Sequence, residues 1–261
     1  MDTPRNTSHS RRPTLLSIRL RIGRKVFGTV GRLGVRTSRN RIVKGPCEVA
    51  ELTALQYVAR HTNVPVPEIE LEYIRGMDLQ RAWLGGYLSP AQKKQMVSEI
   101  AGYIEQLRRL EPPRKEIVGS ASLEGGLDYR IGFFPFGPFQ THEEFHCFLR
   151  KNIPDSTKVF SQEVTDCHSR SYRSRFAHAD LCPRNIIIDN GRVVALIDWE
   201  FGGWYPEYWE YTKAHYVQLN MPDWYEGLES ALTRYDEELK AERTLWTQCD
   251  QPGMPVYVFN V

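Results

Sequence analysis

The chain has 261 residues, 41% hydrophobic and 25% charged, with five cysteines and a net charge of +2. These proportions exclude a disordered, fibrous or disulfide-scaffold protein, and the length can bury a sizeable core. No apolar run approaches the roughly 18 residues of a membrane span.

The small net charge conceals a split. Residues 1–45 hold twelve Lys and Arg against one acidic residue, a net +11, while the remainder holds 22 against 31, a net −9. A basic head sits on an acidic body. The cysteines show no C-x-x-C spacing and no apolar signal core precedes them, which reads as a reduced cytoplasmic protein. The Arg- and Ser-containing, acid-poor N-terminus makes mitochondrial import the alternative.

Residues 1–14 read as a polar tail. Ser17–Ile22 alternates at period two and predicts a half-buried strand, with Gly23, Gly28, Gly31 and Gly34 punctuating a β-meander that ends at Ile42-Val43-Lys44. Apolar spacing from Cys47 to His61 suits a helix, which Pro65 and Pro67 end. Ser89-Pro90 reads as a cap and first helical residue, opening a helix to about Leu110. Residues 119–140, rich in Gly, Phe and Pro, read as an ordered loop. A helix from about His142 to Lys151 and a polar linker to about Arg173 follow. Residues 176–200 are strand-rich; helices return after Trp204, one of them spanning about Trp224–Ala241. Strands first and helices later imply an α+β, two-lobed body.

The densest chemical signal runs from His178 to Asp198. Two apolar runs flank Asn190-Gly191, the strongest short hairpin signal, because both turn positions tolerate φ > 0. With that turn, facing residues sum to 381. Asn185 then opposes Leu196, with Asp198 two positions along the same face and about 7–8 Å away diagonally. Two oxygen-bearing side chains so placed suit a shared Mg²⁺ ion. Asp180, in the loop entering the hairpin, suits the orientation and deprotonation of a substrate hydroxyl. The spacing His-x-Asp-x4-Asn followed by Asp matches kinase-type phosphoryl transfer. A hairpin with a polar rim is the plain rival, and the joint placement favours the chemical reading.

The stretch from His178 through Asn185-Ile186, then Ile197-Asp198-Trp199-Glu200-Phe201-Gly202-Gly203-Trp204-Tyr205-Pro206, resembles the aminoglycoside phosphotransferase (choline kinase-like) family, in its fungal-type branch. The similarity continues upstream through Val58-Ala59-Arg60-His61-Thr62-Asn63-Val64-Pro65, Leu71–Gly76 and Gln106-Leu107-Arg108, covering about residues 40–245. It implies a two-lobed protein-kinase-like fold with a small N-terminal β-sheet lobe and a larger, mainly helical C-terminal lobe. The expected division is a tail at 1–14, a nucleotide-binding lobe at 15–75, a catalytic and acceptor-binding lobe at 76–250 and a tail at 251–261.

Carried over residue by residue, the resemblance implies Asp180 as catalytic base and Asn185 and Asp198 as Mg²⁺ ligands. Lys44 matches the lysine that grips the ATP phosphates, Glu51 its counter-charge, and Glu72 and Ile74 the hinge beside the nucleotide. His178 is expected to support the catalytic loop or to be a satisfied core histidine. Ala179 stands where the family has glycine, a mild change if φ there is negative. Only Glu68-Ile69-Glu70 separates Pro67 from the hinge, so the N-terminal lobe is expected to be a strand or two short.

The implied function is ATP-dependent phosphoryl transfer to a hydroxyl of a small molecule, with Glu200, Glu207 and Glu210 available to an amine-bearing acceptor. No nucleic acid or membrane partner is implied. A catalytically weak pseudokinase acting as a binding module is the alternative that the short lobe suggests. His142-Glu143-Glu144-Phe145-His146 also matches the H-E-x-x-H zinc helix, a remote alternative, because Thr141 and Glu144 form a capping box and no third ligand stands at the usual spacing.

Overall fold

A computed structural model describes residues 15–30, 34–38, 41–44, 49–67, 74–156, 158–216 and 219–253. The chain divides into two compact units, residues 1–47 with 70–73 and residues 48–69 with 74–261.

In the first unit, helix α1 (Leu15–Phe27) leads into strands β1 (Thr29–Val30), β2 (Gly34–Arg36) and β3 (Ile42–Lys44), an antiparallel meander in that order. The expected strand at Ser17–Ile22 is therefore corrected to helix. Leu15, Ile18, Ile22 and Val26 are spaced three or four apart, so the segment carries a helical stripe as well as period-two alternation. Gly28, at φ +77°, ends α1 where an L side chain would be strained. Gly23 lets the helix lie on the sheet, since a Cβ there would sit 2.4 Å from the Arg36 carbonyl oxygen.

The second unit opens with α2 (Val49–His61), followed by β4 (Met77–Asp78) and α3 (Leu79–Leu84). Asp78 caps α3, its Oδ1 accepting from Arg81 N at 2.8 Å. Helix α4 (Pro90–Arg108) begins as expected, with Ser89 and Gln92 forming a reciprocal capping box. The expected loop at 119–140 contains three short strands: β5 (Gly119–Ser120) and a hairpin of β6 (Gly126–Asp128) and β7 (Gly132–Phe136). Helix α5 (His142–Leu149) follows, and the expected polar linker contains α6 (Gln162–Ser169). After β8 (Ser174–Ala177), a 3-10 turn (Pro183–Asn185) enters the hairpin of β9 (Ile186–Asp189) and β10 (Arg192–Leu196). Strand β11 (Gly203–Pro206) leads to α7 (Trp209–Ala214). The single helix expected near 224–241 is two, α8 (Pro222–Ala231) and α9 (Asp236–Gln248).

The sheets order as β10-β9-β4 and β5-β11-β8. Their apolar faces and the helices enclose two cores. One gathers Ala54, Val58, Leu79, Met96, Ile100, Trp199 and Trp204, and the other gathers Phe136, Phe145, Leu149, Val164, Tyr205, Tyr208 and Trp209. The aromatic run after Asp198 is thus mostly core: Trp199, Trp204, Tyr205, Tyr208 and Trp209 are fully buried. Among the described residues no helix is long and apolar enough to cross a membrane.

Candidate active site

Strand β8 pairs with β11 and ends at Ala177, so the chain leaves a buried sheet directly into His178-Ala179-Asp180. His178 is fully buried and bridges two loops. Its Nδ1 accepts the Asp180 amide at 3.2 Å and its Nε2 donates to the Ile197 carbonyl at 3.0 Å. These contacts fix the Nε2–H tautomer. The ring lies 4.4 Å from that of Trp199. His178 is therefore both a satisfied core histidine and a support for the loop, since its two bonds tie the segment before Asp180 to the one before Asp198.

Ala179 has φ +61°, so the condition under which the change from glycine would be mild is not met. A left-handed conformation costs a non-glycine residue about 1–2 kcal/mol, so the surroundings must hold it. The Glu210 carboxylate does so: Oε2 accepts from His178 N at 2.5 Å and from Ala179 N at 3.4 Å. Glu210 is buried, and that burial raises its carboxyl pKa, opposed by His178 and the two amides.

Beyond the strained residue, the Asp180 carboxylate accepts two donors. Arg184 Nη2 lies 3.1 Å from both oxygens, and Asn185 Nδ2 lies 2.7 Å from Oδ2 and 3.1 Å from the Asp180 carbonyl. The 3-10 turn sets this spacing, Pro183 opening it and Asn185 N closing it on Cys182 O at 3.0 Å. Burial pushes the Cys182 thiol up to about 12, which makes it inert.

The hairpin after the turn has the expected Asn190-Gly191 corner, with φ +48° and +73°. Its register is corrected. Pairs sum to 381 at Arg192↔Asp189 and Val193↔Ile188, but a bulge at Val194 shifts the rest to Ala195↔Ile187 and Leu196↔Ile186. Asn185 therefore opposes Ile197, whose amide donates to its carbonyl at 2.9 Å, and not Leu196. Asp198 follows at φ +67°, turning out of the strand rather than continuing its face.

The donor set suits Mg²⁺. With Asn185 Nδ2 committed to Asp180, the amide oxygen is the remaining group of that side chain, and it and the Asp198 carboxylate are by their chemistry hard oxygen donors of the kind Mg²⁺ takes. Among the described residues no group of three or more His, Cys, Asp or Glu could hold a metal. A pair of protein ligands is what Mg²⁺ uses where phosphates and water complete its octahedron.

Of the other expected residues, Glu51 is buried in the first turn of α2 and Ile74 is half-buried. The Lys44 side chain and Glu72 lie outside the described residues, although Lys44 closes β3. The three glutamates read as acceptor candidates separate. Glu210 holds the loop, and Glu207 accepts Arg173 N at 3.1 Å and faces Arg108 at 3.8 Å. Glu200 hydrogen-bonds Tyr129. Tyr129 and Glu210 give no local signal in the sequence, because each acts across a gap of more than thirty residues.

The zinc alternative is overturned. His142 Nε2 is bonded to Ser174 Oγ at 2.9 Å and His146 Nε2 to Tyr208 Oη at 2.9 Å. Their ring centroids lie 6.4 Å apart. Both are buried, and His146 is lowered to about 3 chiefly by that burial. They are core histidines whose Nε2 atoms are already bonded.

A buried loop that presents a carboxylate, an asparagine turn and a following aspartate, carried on this α+β framework, is a protein-kinase-like fold of the phosphotransferase type. The chain belongs to the phosphotransferase enzyme family, whose sequence model matches residues 32–246. Two solved structures at TM-score 0.50 share the fold. The gentamicin complex of APH(2'')-IIa aligns at TM-score 0.50 with 12% identity, covering 84% of this chain and 79% of that one. The apo form of a thermostable mutant of aminoglycoside phosphotransferase APH(4)-Ia aligns at TM-score 0.50 with 17% identity, covering 80% and 75%. Macrolide 2'-phosphotransferase MphH from Brachybacterium faecium aligns at TM-score 0.43 with 11% identity, covering 76% and 69%. No curated protein sequence matches the chain.

Proposed function

We propose that the protein transfers the γ-phosphoryl group of ATP to a hydroxyl of a small molecule, with Asp180 as the base. The observation that carries this reading is the Asp180 carboxylate itself, held by Arg184 and Asn185 at the exit of a buried loop. A carboxylate so oriented can accept the hydroxyl proton while the alkoxide oxygen attacks phosphorus in line with the departing ADP oxygen. Asn185 and Asp198 would hold Mg²⁺, which when bound offsets phosphate charge. Lys44, Glu51, Glu72 and Ile74 are assigned to the nucleotide on the strength of the sequence motifs alone.

The test is ADP release from Mg²⁺-ATP across a panel of small alcohols, beside a thermal-shift titration with Mg²⁺-ATP. Asp180→Ala is expected to lose about 10²–10⁴-fold in turnover, the usual contribution of a general base, while keeping the ATP-induced shift. Absence of any shift in the unmodified chain would overturn the kinase reading and favour a binding module.

A further inference from the structure

We propose that Tyr129 and Phe133, on the β6–β7 hairpin, form an apolar wall beside Asp180 that selects hydroxyl acceptors with a flat, uncharged or singly cationic ring body over polyamino sugars. The inference rests on the phosphotransfer reading above and names the acceptor class of that same site.

The two rings are neighbours with centroids 5.6 Å apart, and they stay 48% and 60% exposed. Burying one such ring gains about 1.5–3 kcal/mol, so adjacent exposed rings mark a surface awaiting an apolar face. A loose loop would fold them inward. This hairpin cannot, because its tip is anchored in the core. Arg130, between the two strands, is fully buried and donates to the Cys249 carbonyl at 3.2 Å. Asp128 accepts from Arg130 N at 2.9 Å, Lys213 Nζ at 2.6 Å and Trp209 Nε1 at 3.1 Å. Ile131 O accepts from Gly253 N at 2.8 Å.

The location ties the wall to the chemistry. Tyr129 stands edge-on to buried Phe201 at 4.7 Å, and Phe201 lies three residues beyond Asp198. Burial raises the Tyr129 phenol pKa, followed by Glu200, which also accepts its hydrogen bond, and by Asp198 and Asp180. The surface beside the rings is thus negative, which disfavours anionic acceptors. Those carboxylates are already engaged, which leaves little for a polycation: Asp180 accepts from Arg184 and Asn185, Glu200 from Tyr129, and Glu207 and Glu210 are turned to Arg173, Arg108 and the loop amides. Aromatic faces supply what a ring body needs, namely stacking and about 0.5–2 kcal/mol of cation–π attraction for a single amine.

The test compares ADP release with 2-phenylethanol, phenylethanolamine and gentamicin. The aryl alcohols are expected to exceed gentamicin in kcat/KM. Phe133→Ser should lower their kcat/KM about tenfold, equivalent to about 1.4 kcal/mol, through KM and not kcat, with gentamicin unaffected. Phe134→Ser is the control: Phe134 is also exposed, but successive strand residues face opposite sides. A preference for gentamicin, no effect of Phe133→Ser, or an equal loss in Phe134→Ser would overturn the wall. Saturation-transfer NMR with phenylethanolamine separates the two readings. Saturation transfer to the ligand ring that vanishes in Phe133→Ser, without ADP release from any acceptor, would sustain the wall and overturn phosphotransfer. ADP release without ring preference would do the reverse.

Discussion

Glu210 works at a distance from everything it serves. Its carboxylate reaches across 32 residues of sequence to hold the amide that precedes the strained Ala179. Glu210→Ala would leave two buried amides unpaired at about 1–3 kcal/mol each, so urea unfolding should show a loss of about 2–6 kcal/mol. Glu210→Gln keeps an acceptor oxygen but turns an amide toward the place where Oε1 has no hydrogen-bond partner, a cost of about 1 kcal/mol. If Glu210 positions the loop, the alanine variant should lose kcat more than affinity for ATP, and the glutamine variant should recover most of it. Equal loss in both variants would argue that its charge matters instead. The contrast with Asp180 and Asn185 explains what is legible in the sequence. Those two are set five apart by one local turn, so their spacing alone carries the geometry. Glu210 is joined to its partners only by the folding of α7 onto the end of β8.

Among the elements, the β6–β7 hairpin is hidden from a reading of the sequence and α1 is ambiguous in it, each for a physical reason. The hairpin is short, is punctuated by Gly126, Gly132 and Pro135, and exposes the middle of β7, so neither alternation nor a buried apolar run marks it. Helix α1 carries both periods at once, and Ile18, Ile22 and Val26 remain exposed, so burial does not discriminate between them. By contrast Ser89-Pro90 and Asn190-Gly191 specify φ and hydrogen-bond partners locally, and the structure has the cap and the corner where the sequence predicts them. The hairpin stands on the Asp128–Lys213 ion pair, whose members are buried. Lys213→Met is expected to cost about 3–5 kcal/mol by urea unfolding, because it strands a buried carboxylate. Adding Asp128→Asn should recover part of that loss, since it removes the stranded charge and its amide oxygen can still accept one of the two donors, the Arg130 amide or Trp209 Nε1. Additive losses in the double variant would contradict the pairing.

At the scale of the whole molecule, the second unit contains a buried histidine layer that makes its stability depend on pH. The His146 and His168 rings stack at 4.1 Å, and Arg150 Nη1 donates to His168 Nδ1 at 2.5 Å. Burial, followed by neighbouring His142, lowers His146 to about 3, and burial likewise lowers His168. An unfolded histidine binds its proton near pH 6.5, so below that value the unfolded chain holds protons the native one lacks. Stability is then complete above about pH 6.5 and falls with acidification, by about 1.4 kcal/mol per pH unit for each such histidine. Urea midpoints at about pH 7, 6 and 5 should show this fall, and His146→Gln should flatten it by about one proton. The raised carboxyls of Glu210 and Glu242 act in the opposite sense, so the difference between the variant and the parent chain is the decisive quantity.

The left-handed backbone at Ala179 and Asp198 has a consequence for affinity. Both residues hold positive φ, +61° and +67°, and groups of the chain itself hold them there. The strain that presents Asp180 and turns Asp198 is therefore met during folding, by Glu210, His178 and the bulged hairpin. If Asp180 and Asp198 receive ligands as proposed, those ligands meet a loop whose strained backbone the fold already holds. Their apparent dissociation constants would then carry no population penalty for rearranging it.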